Sequence, residues 1–158
     1  MNIFWLDHHP VQAAMYMCDK HVIKMALESA QMLCAPFEDG QAPYRRAYYN
    51  HPCTKWARES QTNYDWLTSH ALALCEEYER RYEKEHGCLD VIEWCDSNRA
   101  QLKLSKRGLT KPAQAMPDWY KDENPVKAYR SYYMNEKAYF ASWDRAGSIP
   151  EWWKPQAN

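Results

Sequence analysis

The sequence predicts a mainly α protein: a single compact domain over residues 1–158, with three to four helices, long irregular connections and an aromatic-rich C-terminal segment. Apolar side chains recur at steps of three and four residues over long stretches, which is the spacing of a helix face. No pair of alternating segments offers a sheet. Eight Trp and twelve Tyr supply large buried area with polar edges, enough for a core although 26% of the residues are charged.

In chain order, Met1–Leu6 is a short apolar run suited to a strand or an extended arm tucked into the core. Asp7 or His9 stands where an N-cap belongs and Pro10 fits a first helical turn, so the first helix is expected from Pro10 to Cys34, ahead of Pro36 and the Glu38-Asp39-Gly40 turn. Residues 41–50 form a connector that carries Arg45 and Arg46. Asn50 or His51 caps a second helix from Pro52 to His86, closed by Gly87. A pattern longer than about 25 residues implies a kink or break inside it. A short third helix is expected over residues 88–101, with Val91, Ile92 and Trp94 inward. Residues 103–124, with Gly108, Pro112 and Pro117, read as a surface loop. A last helix spans Pro125 to Trp143, and Ser148–Trp153 folds back onto the body.

Several function classes are excluded or disfavoured. Only four glycines are present and none forms a phosphate-cradling loop, which excludes P-loop and dinucleotide folds. The six cysteines form no CxxC pair and follow no secretory signal, so they read as reduced thiols in a cytoplasmic protein. No apolar run reaches membrane-spanning length, so no membrane partner is expected. The motif spacings of common metal sites are missing and no cofactor or metal is expected, although His8, His9, Asp19, His21 and His51 leave metal-dependent hydrolysis as an alternative. A net charge of −1 gives no global field for nucleic acid, but bases concentrate between Arg99 and Lys111.

The chemistry points to the first helix. Met17, His21, Lys24, Glu28 and Gln31 fall on one stripe, beside an apolar stripe of Ala14, Cys18, Val22, Met25, Ser29 and Leu33. An imidazole, an amine and a carboxylate thus adjoin a packing face, where partial burial shifts proton affinities. Cys18 belongs to the packing stripe and reads as a small core residue. A carboxylate beside an amine suits attack on a sugar C1′, because the amine forms an imine while the carboxylate moves protons and stabilises charge. The last helix mixes Tyr129, Tyr132, Tyr133, Phe140 and Trp143 with Lys127, Arg130, Lys137 and Arg145, a set suited to core packing or to stacking bases beside phosphates.

The run Asp19-Lys20-His21-Val22, with Glu28 seven residues after the histidine, resembles the first helix of phage pyrimidine-dimer DNA glycosylases of the endonuclease V type. Tyr49-Asn50-His51-Pro52 opening a long helix, Glu77-x-x-x-Arg81-Tyr82 at its far end, and the Tyr132-Tyr133 stretch are similar to further segments of that family. The whole chain also resembles a family of small tailed-phage proteins. The resemblance implies a DNA glycosylase/lyase-like enzyme acting on an N-glycosidic bond of damaged or modified DNA or of a nucleotide, with Glu28 as catalytic carboxylate and His21 and Lys24 beside it. DNA or nucleotide contacts are expected at His51, Asn50 and Arg81 from these segments, and at Trp56, Asn63, Arg45 and Arg46 from the polar and aromatic positions of the second helix and the connector. The family's nucleophile is the α-amine of a small N-terminal residue. Here Asn2 is bulky, which leaves the Met1 amine or Lys24 for that role. The family's phosphate-gripping helix arginines fall on Leu27 and Gln31, which favours a modified base or nucleotide over ordinary damaged duplex. A non-catalytic module binding a nucleotide or a partner protein is the alternative from another class.

Overall fold

The computed structural model describes residues 1–155 and is all-helical among them. Six α-helices follow in order: α1 (Pro10–Met15), α2 (Asp19–Cys34), α3 (Pro52–Glu59), α4 (Gln61–Tyr82), α5 (Leu89–Asn98) and α6 (Pro125–Glu136), with 3₁₀ turns at Arg99–Leu102 and Asp118–Tyr120. The central element is α4, which packs against α1, α2, α3 and α5. The N-terminal run is an arm rather than a strand. Asn2 to Leu6 are buried, and Trp5 stacks on Trp66 of α4 with ring centroids 4.2 Å apart.

Both long helices expected from the periodicity are split. The first breaks at Tyr16–Cys18, where Cys18 is extended and α2 restarts at Asp19. A break exposes backbone carbonyls that need donors, and the Arg81 guanidinium supplies them, bonding Met15 O at 2.9 Å and Met17 O at 2.7 Å. The second breaks at Ser60, whose extended backbone stops α3 and whose hydroxyl accepts the Asn63 N–H at 3.0 Å to cap α4. The helix α4 then ends at Tyr82, not at Gly87, through Glu83 in the left-handed conformation (φ 57). His9 and His51 are the N-caps of α1 and α3, each accepting a backbone N–H on Nδ1.

The C-terminal third departs most from expectation. The last helix stops at Glu136 rather than Trp143, because the chain turns so that the Ser142 carbonyl accepts the Asp19 N–H at 2.8 Å, at the start of α2. In the third helix only Ile92 of the three apolar side chains is fully buried, with Val91 and Trp94 at the margin. The loop over residues 103–124 is confirmed apart from its one 3₁₀ turn. The tail folds back as the sequence predicts: Trp153 packs on Trp143 at 4.7 Å and Trp152 on Tyr16 at 5.7 Å. All six cysteines are free and buried.

Candidate active site

The N-terminal arm reaches the middle of α2 by a tight local bend. Asn2 Oδ1 accepts the N–H groups of Ile3 (2.9 Å) and Phe4 (3.2 Å), and its Nδ2 donates to Ala115 O in the 103–124 loop at 2.9 Å. Phe4 is held at φ 57, a region that costs a bulky residue about 1 kcal/mol or more. The cost is offset by its ring, which packs against His21 at 4.7 Å, Tyr133 at 5.4 Å and Tyr132 at 6.1 Å. This bend puts the start of the chain on Glu28. The Asn2 N–H donates to Glu28 Oε1 at 2.9 Å and the Met1 amine lies 3.4 Å from the same oxygen.

A cavity of about 370 Å³ opens over this contact. Met1, Asn2 and Phe4 of the arm, His21, Lys24, Met25 and Glu28 of α2, and His51 line it, with Ala115, Tyr132 and Lys137 opposite. The imidazole, amine and carboxylate on the α2 stripe therefore face one space. Lys24 Nζ is 4.0 Å from Glu28 Oε2, but its side chain is 69% exposed, whereas the Glu28 side chain is 10% exposed. A pocket of this size accommodates a nucleoside-sized group. A second cavity of about 400 Å³ lies near Tyr64 and Lys106, but its carboxylate, Asp65, is already bound by Arg99 at 2.6 Å.

Both cavity histidines are shifted toward the neutral form. Burial, with Lys137 and Lys24 nearby, pushes His21 down to about 3. The buried Tyr133 hydroxyl accepts the Cys18 N–H at 3.1 Å and lies 3.1 Å from Cys18 Sγ and 2.7 Å from His21 Nδ1, which holds the ring in place. His51 is lowered by burial and by the Met1 amine, against the opposing pull of Glu28. Its Nδ1 accepts the Cys53 N–H, which leaves its proton on Nε2.

These shifts have a stability consequence. His70 is also lowered, to about 4, by complete burial. The native values of His21 and His70 lie below the unfolded value of 6.5, so the unfolded chain binds more protons between them. Their stabilisation is fully present above about pH 6.5 and is lost as pH falls toward 4, at about 1.4 kcal/mol per pH unit for each histidine. The shift of His86 is upward, caused first by its bond to Cys88, and offsets part of this. Urea midpoints measured from pH 7 to 4.5 should fall steadily. A flat profile would contradict the neutral burial of both rings.

Of the other expected contact residues, only His51 reaches the cavity. Arg81 is buried in the α1–α2 break, and Trp56 lies in the core with its Nε1–H on Thr110 O at 3.0 Å. Asn63 is a buried clamp, donating to Trp56 O and Thr110 Oγ1 and accepting the Thr110 N–H. Arg46 holds the end of α2 through Ala35 O and Phe37 O, while Arg45 and Asn50 are exposed on the connector, away from the cavity lining. Helical periodicity places such residues on a polar-looking row but does not distinguish a buried structural hydrogen bond from a substrate contact. Phe4, Tyr132 and Lys137 carry the cavity's aromatic and cationic wall instead. The mixed aromatic and basic pattern of α6 is the signal that could have marked the last two.

The family model for pyrimidine dimer DNA glycosylase matches residues 1–90, more than half of the chain. The chain belongs to this family. Its function is thus DNA glycosylase-like in general terms. No curated protein and no solved structure matches it. The matched glycosylase segment contains every cavity residue from the arm, α2 and the His51 cap, whereas Ala115, Tyr132 and Lys137 come from beyond it. No helix among the described residues is long and apolar enough to cross a membrane.

Proposed function

We propose that the cavity receives a nucleotide of DNA with a damaged or modified base and cleaves its N-glycosidic bond through an imine, with the Met1 amine as nucleophile and Glu28 as the proton-transfer group. The observation that supports this most directly is the 3.4 Å approach of the Met1 amine to Glu28 Oε1 inside a cavity of nucleoside size. The neutral amine attacks C1′ and the base departs with the bonding electron pair, taking a proton from water. Glu28 accepts the amine proton and passes it to the sugar ring oxygen as the ring opens, leaving a C=N bond between enzyme and C1′.

The surrounding groups suit that substrate. Lys24 and Lys137 outnumber Glu28, the one carboxylate that lines the cavity among the described residues, so the site is locally positive in a protein of net charge −1 and favours a polyanion. Phe4 and Tyr132 lie parallel at the cavity wall and offer faces for a base. Met1 is preferred to Lys24 as nucleophile because its amine is nearer the carboxylate and is held by the bend at Asn2 and Phe4. Processing of Met1 would preserve the chemistry, since the Asn2 nitrogen is 2.9 Å from the same oxygen.

Borohydride trapping on abasic, dimer-containing and base-modified DNA tests the proposal. A covalent adduct should form with the wild-type chain and with Lys24→Ala, and disappear when the chain is extended by a residue before Met1. An adduct lost only in Lys24→Ala would move the nucleophile to Lys24. Failure of every substrate to give an adduct or release a base would overturn the imine reading.

A further inference from the structure

The C-terminal part of α4 and the turn into α5 bring together Cys75, His86 and Cys88. Their ligand atoms, two Sγ and one imidazole nitrogen, all lie within 4.8 Å of one another. None of these residues lines the Met1–Glu28 cavity. We propose that this cluster is a zinc site.

The ring of His86 is already set for the purpose. Its Nε2 donates to the Ile23 carbonyl at 2.9 Å, and its unprotonated Nδ1 accepts the Cys88 N–H at 3.1 Å and lies 3.0 Å from Cys88 Sγ, so a metal would take the place of that N–H bond. A metal-bound histidine typically has its second nitrogen anchored in this way by a carbonyl or carboxylate. Two sulfurs and one imidazole nitrogen form a soft donor set that selects zinc over magnesium or calcium. Both cysteines are buried and neither forms a disulfide, so their sulfurs are not committed elsewhere covalently.

An entry path is also at hand. A cavity of about 210 Å³ opens onto Cys75 and is lined by Glu76, Glu79 and Glu85, three exposed carboxylates that attract a cation, and water would take the fourth position. On binding, the two thiol protons pass to solvent and the metal replaces them between the sulfurs and Nδ1. The site would join the end of α4, the turn after it and the start of α5 to the Ile23 carbonyl of α2. Ile23 precedes Lys24, so the metal would brace from behind the helix that carries His21, Lys24 and Glu28. The ligand spacing, Cys-x10-His-x-Cys, follows no common metal-site motif, and the chain between Cys75 and His86 turns at Glu83, which is left-handed.

The reduced full-length chain, purified without a histidine tag, is incubated with Zn²⁺, desalted and analysed for metal by mass spectrometry. Co²⁺ is titrated in parallel and followed by absorbance. Roughly one zinc per chain should be retained, and Co²⁺ should give a thiolate-to-cobalt charge-transfer band. Cys88→Ser and His86→Gln should each weaken binding by roughly 10-fold or more. Loss of zinc on desalting together with no charge-transfer band in the wild-type chain overturns the proposal, as does unchanged binding in a folded Cys88→Ser variant. Because the wild-type cobalt spectrum is decisive alone, misfolding of a variant does not remove the test.

Discussion

Glu28→Gln is expected to lower the rate of base release by about 10²- to 10⁴-fold while leaving DNA affinity nearly unchanged. The amide keeps the side chain's size and retains an oxygen to accept the Asn2 N–H, so the arm should stay in place. It removes the negative charge beside the Met1 amine and, among the described residues, the only carboxylate lining the cavity, so the amine loses the carboxylate placed to take its proton. Single-turnover base release and equilibrium DNA binding, measured on the same preparation, check this. A variant that binds DNA several-fold more weakly, when neither it nor the wild type releases base, would instead describe a binding module. Loss of activity accompanied by unfolding would be uninformative about chemistry, and the isosteric replacement is chosen to avoid that.

The legible part of the site was the part written on one helix. His21, Lys24 and Glu28 are spaced at three and four residues, and one helix brings them to one cavity without help from the rest of the chain. His51 was recognisable as a cap beside a proline, and the cap geometry points its free nitrogen away from the helix it starts. The remaining wall was not legible, because its members meet only through tertiary structure. Phe4 enters by a left-handed backbone that propensity disfavours, and the mixed pattern that marked Tyr132 and Lys137 for core packing or base stacking did not say that they face this cavity. Asn2 looked too bulky for the start of a catalytic chain, but its side chain is what folds the arm back, by accepting two backbone N–H groups and gripping the loop at Ala115.

The fold shows the same division. Helix existence follows from local periodicity, and all the expected helical stretches are helical at their cores. Helix interruptions do not follow from it, because a break is stable only if distant groups satisfy the freed carbonyls and amides. Ser60 contains its own cap and could have been read as a break, whereas the break at Tyr16–Cys18 depends on a guanidinium 64 residues further along the chain.

That guanidinium gives the second large expected effect. Arg81→Met should destabilise the fold by about 3–5 kcal/mol, because removing one partner of a buried ion pair leaves the other charge uncompensated. The Arg81 side chain is fully buried and binds Glu77 at 2.9 Å, Asp19 at 3.3 Å and the carbonyls of Met15 and Met17. Burial raises the Glu77 carboxyl, but Arg80 and Arg81 outweigh it and hold that group below its ordinary range. Arg80 remains in the variant to pair Glu77, so the cost falls mainly on Asp19 and the two carbonyls at the helix break. At the size of this chain, such a loss corresponds to a melting temperature lower by roughly 10 °C or more. Arg81→Lys should recover only part of it, since an ammonium lacks the planar fork that reaches both carbonyls and both carboxylates together. Thermal melts of the three proteins at neutral pH make the comparison. If Arg81 were a substrate contact, as its place in the family-like Glu-x-x-x-Arg segment implied, Arg81→Met would melt with the wild type and lose only DNA affinity. The predicted outcome is the reverse: weakened anchoring at Asp19 loosens the start of α2, and the Met1–Glu28 contact fails with the helix that carries it.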